Sequence, residues 1–129
     1  MKTYLLFVLL FIAGFTAQAQ KFINNTPCKL VITPACYDPL ACVGGPCGIA
    51  PIVVPPFGTA PLVRCACQPP KLPGYIVCYA ACPNICTNVG NQAGPCPAWP
   101  VPAILGPCPN CDNLPHTIKY TPMGDLLIQ

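Results

Sequence analysis

Cys28-Lys29-Leu30-Val31-Ile32-Thr33 alternates its side chains with a period of two, which a strand satisfies and a helix does not. Leu30 and Ile32 fall on one face, with Lys29, Val31 and Thr33 on the other. The run before it, residues 21–24, is separated from it by Asn25-Thr26-Pro27, and the two read as an opening hairpin with one buried face. Further along, residues 49–54 and 60–67 flank Pro55-Pro56-Phe57-Gly58-Thr59. There the prolines stop a strand and Gly58 can supply a positive φ. Residues 74–81 contain the β-formers Tyr75, Ile76, Val77 and Tyr79. Residues 117–121 and 125–128 flank Pro122-Met123-Gly124, a compact turn closing the chain with a last hairpin. No stretch carries an amphipathic helical stripe of useful length. About seven short strands at this spacing predict an all-β fold, a small antiparallel β-sandwich or partial barrel.

Covalent staples hold such a fold together. The chain has twelve cysteines, Cys28, Cys36, Cys42, Cys47, Cys65, Cys67, Cys78, Cys82, Cys86, Cys96, Cys108 and Cys111. In a short exported chain this density is that of a disulfide scaffold. Their connectivity does not follow from the sequence. Cys65 and Cys67, at i and i+2 on a strand, share a face and are expected to bond to different partners. Cys108-Pro109-Asn110-Cys111 has the spacing of a dithiol redox pair, a minor alternative that lacks the surrounding βαβ pattern. Structural zinc from Cys65-x-Cys67 with Cys108-x-x-Cys111 is the other alternative, and an oxidising compartment favours bridges over it.

Residues 1–19 supply that compartment. Lys2 is the positive n-region, an apolar run extends over residues 4–15, and Ala17-Gln18-Ala19 is a small-x-small cleavage site. Its style looks bacterial. The apolar core is too short to span a membrane, and prolines and polar residues interrupt every later candidate, so no transmembrane segment is expected in the mature chain. Residues 20–129 are expected to form one disulfide-stabilised β domain, in the extracellular space, at the cell surface or in the periplasm.

Residues 86–116 hold no convincing strand. They carry Pro95, Pro97, Pro100, Pro102, Pro107 and Pro109 around Trp99, the only tryptophan. Either Trp99 covers the open end of a core, or it stands exposed with Pro97 and Pro100 on a stiff loop as a binding surface.

The side-chain inventory narrows the chemistry. The chain has no glutamate and no serine, its acids are Asp38, Asp112 and Asp125, and its only histidine is His116. A serine triad is impossible, and a glycosidase would need two of the three aspartates, each of which reads better as a turn residue. The expectation is no enzyme, no cofactor and no metal. Removing Lys2 from a net charge of +3 leaves about +2 on the mature chain, spread over Lys21, Lys29, Arg64, Lys71 and Lys119. No phosphate-binding patch forms, so nucleic acid is not an expected partner.

Three short segments carry a resemblance. Phe22-Ile23-Asn24-Asn25-Thr26 with Cys28, Val54-Pro55-Pro56-Phe57-Gly58-Thr59, and Ile118-Lys119-Tyr120-Thr121-Pro122-Met123-Gly124 are similar to small, signal-bearing, cysteine-rich β-proteins of Gram-negative bacteria. The resemblance implies a sandwich-like fold and no site residues.

With so few charges, much of the surface must be proline, amide and aliphatic side chains, which favours association. The expected role is a secreted, non-catalytic structural or cell-surface protein whose partner is a further copy of itself. The alternative is a monomeric secreted binding module, carbohydrate-binding or inhibitor-like, that grips an extracellular polymer through the loop around Trp99.

Overall fold

The structure, a computed structural model, describes residues 19–91 and 96–129. The segment expected to be an export signal, apart from Ala19, and Pro95 of the proline loop lie outside the described residues. Ten short strands and no helix are found among these residues: β1 (Lys21–Asn24), β2 (Leu30–Asp38), β3 (Val43–Pro46), β4 (Ile52–Val54), β5 (Thr59–Pro61), β6 (Leu72–Tyr79), β7 (Cys86–Val89), β8 (Ala103–Leu105), β9 (His116–Tyr120) and β10 (Leu126–Ile128). One sheet has the order β5-β1-β10-β9-β8, and the other β3-β2-β6-β7 with β4 also on β2. The fold is all-β and disulfide-rich, as the alternating runs predict.

The expected opening hairpin does not form. β1 pairs in parallel with β10 and antiparallel with β5, whereas β2 belongs to the other sheet. The cause lies in the intervening turn. Asn24 is fully buried, its Nδ2 donates to the carbonyls of Cys28 at 2.7 Å and Pro55 at 3.0 Å, and its Oδ1 accepts from the Thr26 amide and hydroxyl. These bonds clamp a crossover between the sheets in place of a two-strand turn. The same happens at Pro55-Pro56-Phe57-Gly58, which carries the chain from β4 in one sheet to β5 in the other. Its positive φ falls on Phe57 at 51°, not on Gly58. A side chain on Gly58 would put its Cβ 2.5 Å from Pro55 Cγ, so this glycine is there for space rather than for φ. The closing hairpin does form, with β9 against β10 and Gly124 at φ 86°.

Three further corrections concern strand extent. The run expected over residues 60–67 ends at Pro61. β7 and β8 lie inside the segment expected to be strand-free. β7 is held there by pairing Cys86 opposite Cys78 on β6, and β8 is a three-residue strand between Pro102 and Pro107. Both are too short to show a period. β2 runs through Pro34 to Asp38, and this works because of where Pro34 sits. Its carbonyl accepts from Cys47 N on the β3 side, so its missing N–H faces the seam between the end of β3 and the start of β4, where no ladder bond is lost.

The main core lies between the sheets. Phe22, Leu30, Ile32, Val54, Tyr75, Val77, Tyr79, Leu105, Ile118, Leu126 and Ile128 are all at 0–1% exposure. Phe22 meets Tyr75 edge-on at 5.1 Å. In β2 the buried face changes at Pro34–Ala35: Leu30 and Ile32 face this core, while Ala35 and Tyr37 fall on the opposite side of the sheet. There they pack with Trp99 and Cys96 in a second, smaller core on the outer face of β2 and β6.

Candidate functional site

The six bridges are Cys28–Cys111, Cys36–Cys67, Cys42–Cys96, Cys47–Cys65, Cys78–Cys86 and Cys82–Cys108, and no free thiol remains. Cys65 and Cys67 bond to different partners, as expected, although neither lies on a strand. Cys108 and Cys111 are not bonded to each other, so the dithiol pair imagined for redox exchange does not exist in this fold. Nor can the zinc set of Cys65, Cys67, Cys108 and Cys111 form, because each sulfur is taken by a distant partner.

Trp99 is 3% exposed, and its ring stacks on Tyr37 with centroids 4.9 Å apart and planes 8° from parallel. This corrects the reading of Trp99 as an exposed anchor, and it also moves the buried alternative: Trp99 covers the outside of a sheet rather than the open end of the sandwich. Gly74 makes the room, since a Cβ there would sit 3.2 Å from Trp99 Cε3 and 2.7 Å from the Val89 carbonyl. The Tyr37 hydroxyl accepts from Asn91 N at 3.0 Å, tying the stack to the loop. Pro97 is exposed and Pro100 half-buried, so of the expected surface only Pro97 stands fully in solvent.

Two places gather chemistry-bearing groups. The first surrounds the Cys28–Cys111 bridge. Asp112 Oδ2 lies 2.8 Å from His116 Nε2, and Asp112 Oδ1 accepts from Leu114 N at 3.2 Å. Burial raises the Asp112 pKa, but the Leu114 amide and His116 outweigh it and hold the carboxyl below its ordinary value. Ligand atoms of Cys28, Asp112 and His116 come within 4.8 Å of one another. With the Cys28 sulfur bonded to Cys111, only one imidazole and one carboxylate remain, short of the four ligands of a structural zinc. Nearby, the Tyr79 hydroxyl, like that of Tyr75, is buried without a hydrogen-bond partner, and burial pushes both phenols up to about 12. Neither can serve as a base near neutral pH.

The second place is a groove of about 730 Å³ at the far end of β2. β3 and the exit of β2 form one wall, with Cys36, Asp38, Gly44 and Gly45, and residues 66–71 form the other, with Pro69, Pro70 and Lys71. The Cys36–Cys67 bridge ties the walls together. Asp38 accepts from the amides of Leu40 at 2.8 Å and Ala41 at 3.1 Å. The amides of Ala41 and Leu40, and then Lys71 across the groove, keep its pKa below the ordinary value. The sequence reading missed this groove. Its signals were the small and rigid pairs Gly44-Gly45 and Pro69-Pro70 next to cysteines, which announce space without announcing what fills it.

No helix of the described residues is long and apolar enough to cross a membrane. No family model, curated protein or solved structure matches the chain.

Proposed function

We propose that the protein is exported and acts as a non-catalytic structural or cell-surface protein that associates with copies of itself. The observation that carries this reading is the surface. Leu40, Val43, Val53, Phe57, Ile104, Leu114 and Met123 are each more than half exposed, on a chain whose charged residues are only 7% of the composition. Large aliphatic and aromatic side chains in water, with few charges between them, favour protein contacts. The scaffold beneath them is fixed by six bridges, so docking would order little that is not already ordered. Those bridges also fit an oxidising compartment, in keeping with the export signal over residues 1–19. The monomeric binding module loses its aromatic anchor with the burial of Trp99.

Light scattering coupled to size exclusion tests the proposal on the oxidised exported protein. The expected result is a mass that climbs with loading concentration. A single monomer mass up to millimolar concentration would sink it.

A further inference from the structure

Resting on the self-association proposed above, we propose that the copies join head to tail, with Phe57 of one copy seated in the groove between β3 and residues 66–71 of the next. Phe57 is 71% exposed and, among the described residues, is the only aromatic of the large side chains standing in solvent. Its backbone at φ 51° is a conformation that bulky residues rarely adopt, and the bonds from Phe57 N to Thr26 O and from Gly58 N to Pro55 O hold the turn. A sidechain presented on so stiff a turn loses little freedom on docking.

The groove suits an aromatic ring. Its walls are small and rigid, with Ala41, Gly45, Pro46, Pro69 and the Cys36–Cys67 sulfurs. Polarizable sulfur makes favourable contact with aromatic rings. A Cβ built on Gly45 meets nothing within 4 Å, so the space is open at its centre.

Charge fits as well. Asp38 in the groove forms no salt bridge among the described residues, and Lys71 across the groove acts on it only from beyond ion-pair distance. At the opposite end, Lys29 is exposed and likewise without an ion-pair partner among them. Lys29 at the turn end and Asp38 at the groove end carry opposite charge, which favours approach of unlike ends over like ends.

Placement decides the kind of assembly. The Phe57 amide donates to Thr26 O just before β2, and β4 ends with Val54 opposite Leu30, so the turn lies at the entry of β2. Cys36 and Asp38 put the groove at its exit. At about 3.3 Å per residue these lie roughly 26 Å apart along the strand. A copy that offers its turn keeps its groove free, which is the rule for a heterologous contact that grows as a chain rather than closing as a dimer. The edges of β3 and β5 are poor rival routes. Cys47 N donates to Pro34 O, so by alternation Gly44 and Pro46 of β3 point their backbones outward, and Pro46 has no N–H. In β5 the Asn24–Gly58 and Leu62–Gln20 bonds likewise leave Thr59 and Pro61 facing out. A proline at each position blunts those edges.

The test uses sedimentation velocity on the oxidised exported protein. Phe57→Asn removes the ring and keeps a residue tolerant of positive φ, and Gly45→Trp fills the groove. Wild type is expected to grow beyond the dimer with concentration. Each variant alone is expected to stay monomeric, while an equal mixture stops at a dimer, because one supplies an intact groove and the other an intact turn. Growth by either variant alone, or a mixture that stays monomeric, overturns the head-to-tail contact. If wild type grows and the variants grow equally, self-association stands and this route falls; if wild type stays monomeric, both fall. Should Gly45→Trp fail to fold, Lys29→Glu takes its place, an exposed change expected to weaken association roughly threefold. An unchanged association constant in Lys29→Glu would count against the contact.

Discussion

Between the sheets, Leu30, Ile32, Val77, Ile118 and Ile128 leave no surface in water, and long ladders flank them. At the groove end the chain looks different. β3 reads Val43-Gly44-Gly45-Pro46, residues 62–68 join no ladder, and Val43 is 67% exposed. Three of the six bridges, Cys36–Cys67, Cys42–Cys96 and Cys47–Cys65, serve this thin end. Each apolar side chain buried in the sandwich is worth about 1.5–3 kcal/mol, and each bridge about 2–4 kcal/mol, so a covalent link does locally what a core side chain does elsewhere. The difference shows two ways of ordering the same backbone, one by excluding water and one by limiting the unfolded chain.

Reduction should break that comparison most completely. Six bridges at about 2–4 kcal/mol each exceed the roughly 5–15 kcal/mol net stability of a small domain. The reduced protein is therefore expected to lose its near-ultraviolet dichroism and its cooperative melt. Before reduction, alkylation under denaturing conditions should add no mass. Uptake of label by several cysteines without reductant would show that the bridges are incomplete.

The second prediction concerns Trp99. If the small outer core is packed as the main one is, Trp99→Ala costs about 3–5 kcal/mol by opening a cavity against Tyr37 and Gly74. Tryptophan emission should be blue-shifted at every protein concentration. Red-shifted, readily quenched emission from the native protein would mean that Trp99 is not buried against Tyr37.

These two regions also differ in how far the sequence disclosed them. The sandwich was legible because its inward side chains keep a strict period: Leu30 and Ile32 in β2, Tyr75, Val77 and Tyr79 in β6, and Ile118 in β9. Pairing was less so. Residues 21–24 form a strand as expected and the run at 28–33 does so from Leu30 onward, but nothing in their own pattern reveals that Asn24 is buried and directs the chain across to the other sheet. Burial of an amide depends on distant partners, here the carbonyl of Pro55. The outer core stayed hidden for a related reason. Tyr37 and Trp99 are 62 positions apart, and the change of buried face at Pro34–Ala35 looks, in one dimension, like a strand ending at a proline. Alternation also says nothing about glycine and proline, which is why β3 and the groove went unseen.

A finer contrast separates bridges by the loop they close. Cys28–Cys111 spans 83 positions and Cys78–Cys86 only 8. Loop-closure entropy makes the long one worth about 2 kcal/mol more. Paired alanine substitutions should therefore lower stability by about 4.5 kcal/mol for the first and about 2.5 kcal/mol for the second, compared by denaturant midpoint at fixed slope. Equal losses would mean that the Cys78–Cys86 hairpin is ordered chiefly by its bridge and that the unfolded chain is already compact across the longer span.

The smallest expected effect is acid sensitivity, and it again divides the two ends. Asp112, beside Cys28–Cys111, is shielded by its surroundings, and its carboxyl is held below the ordinary value: burial opposes ionisation, but the Leu114 amide and His116 favour it more strongly. A carboxyl whose folded pKa lies below its unfolded value, near 3.9, stabilises the fold above that unfolded value, and the stabilisation is lost as pH falls through the folded one. Asp38, at the groove end, is half-buried, and the amides of Ala41 and Leu40 that depress it outrank the opposing effect of burial. Water reaches this carboxylate and screens part of what it contributes. Melting temperature measured from pH 6 down to pH 2 should therefore fall less steeply in Asp112→Asn than in wild type, while Asp38→Asn follows the wild-type curve more closely. Because asparagine keeps an oxygen able to accept the Leu114 amide, the change isolates the charge from the turn. An acid-side slope left intact in Asp112→Asn but flattened in Asp38→Asn would reverse the assignment, and would place the acid-sensitive electrostatics at the stapled end of the molecule.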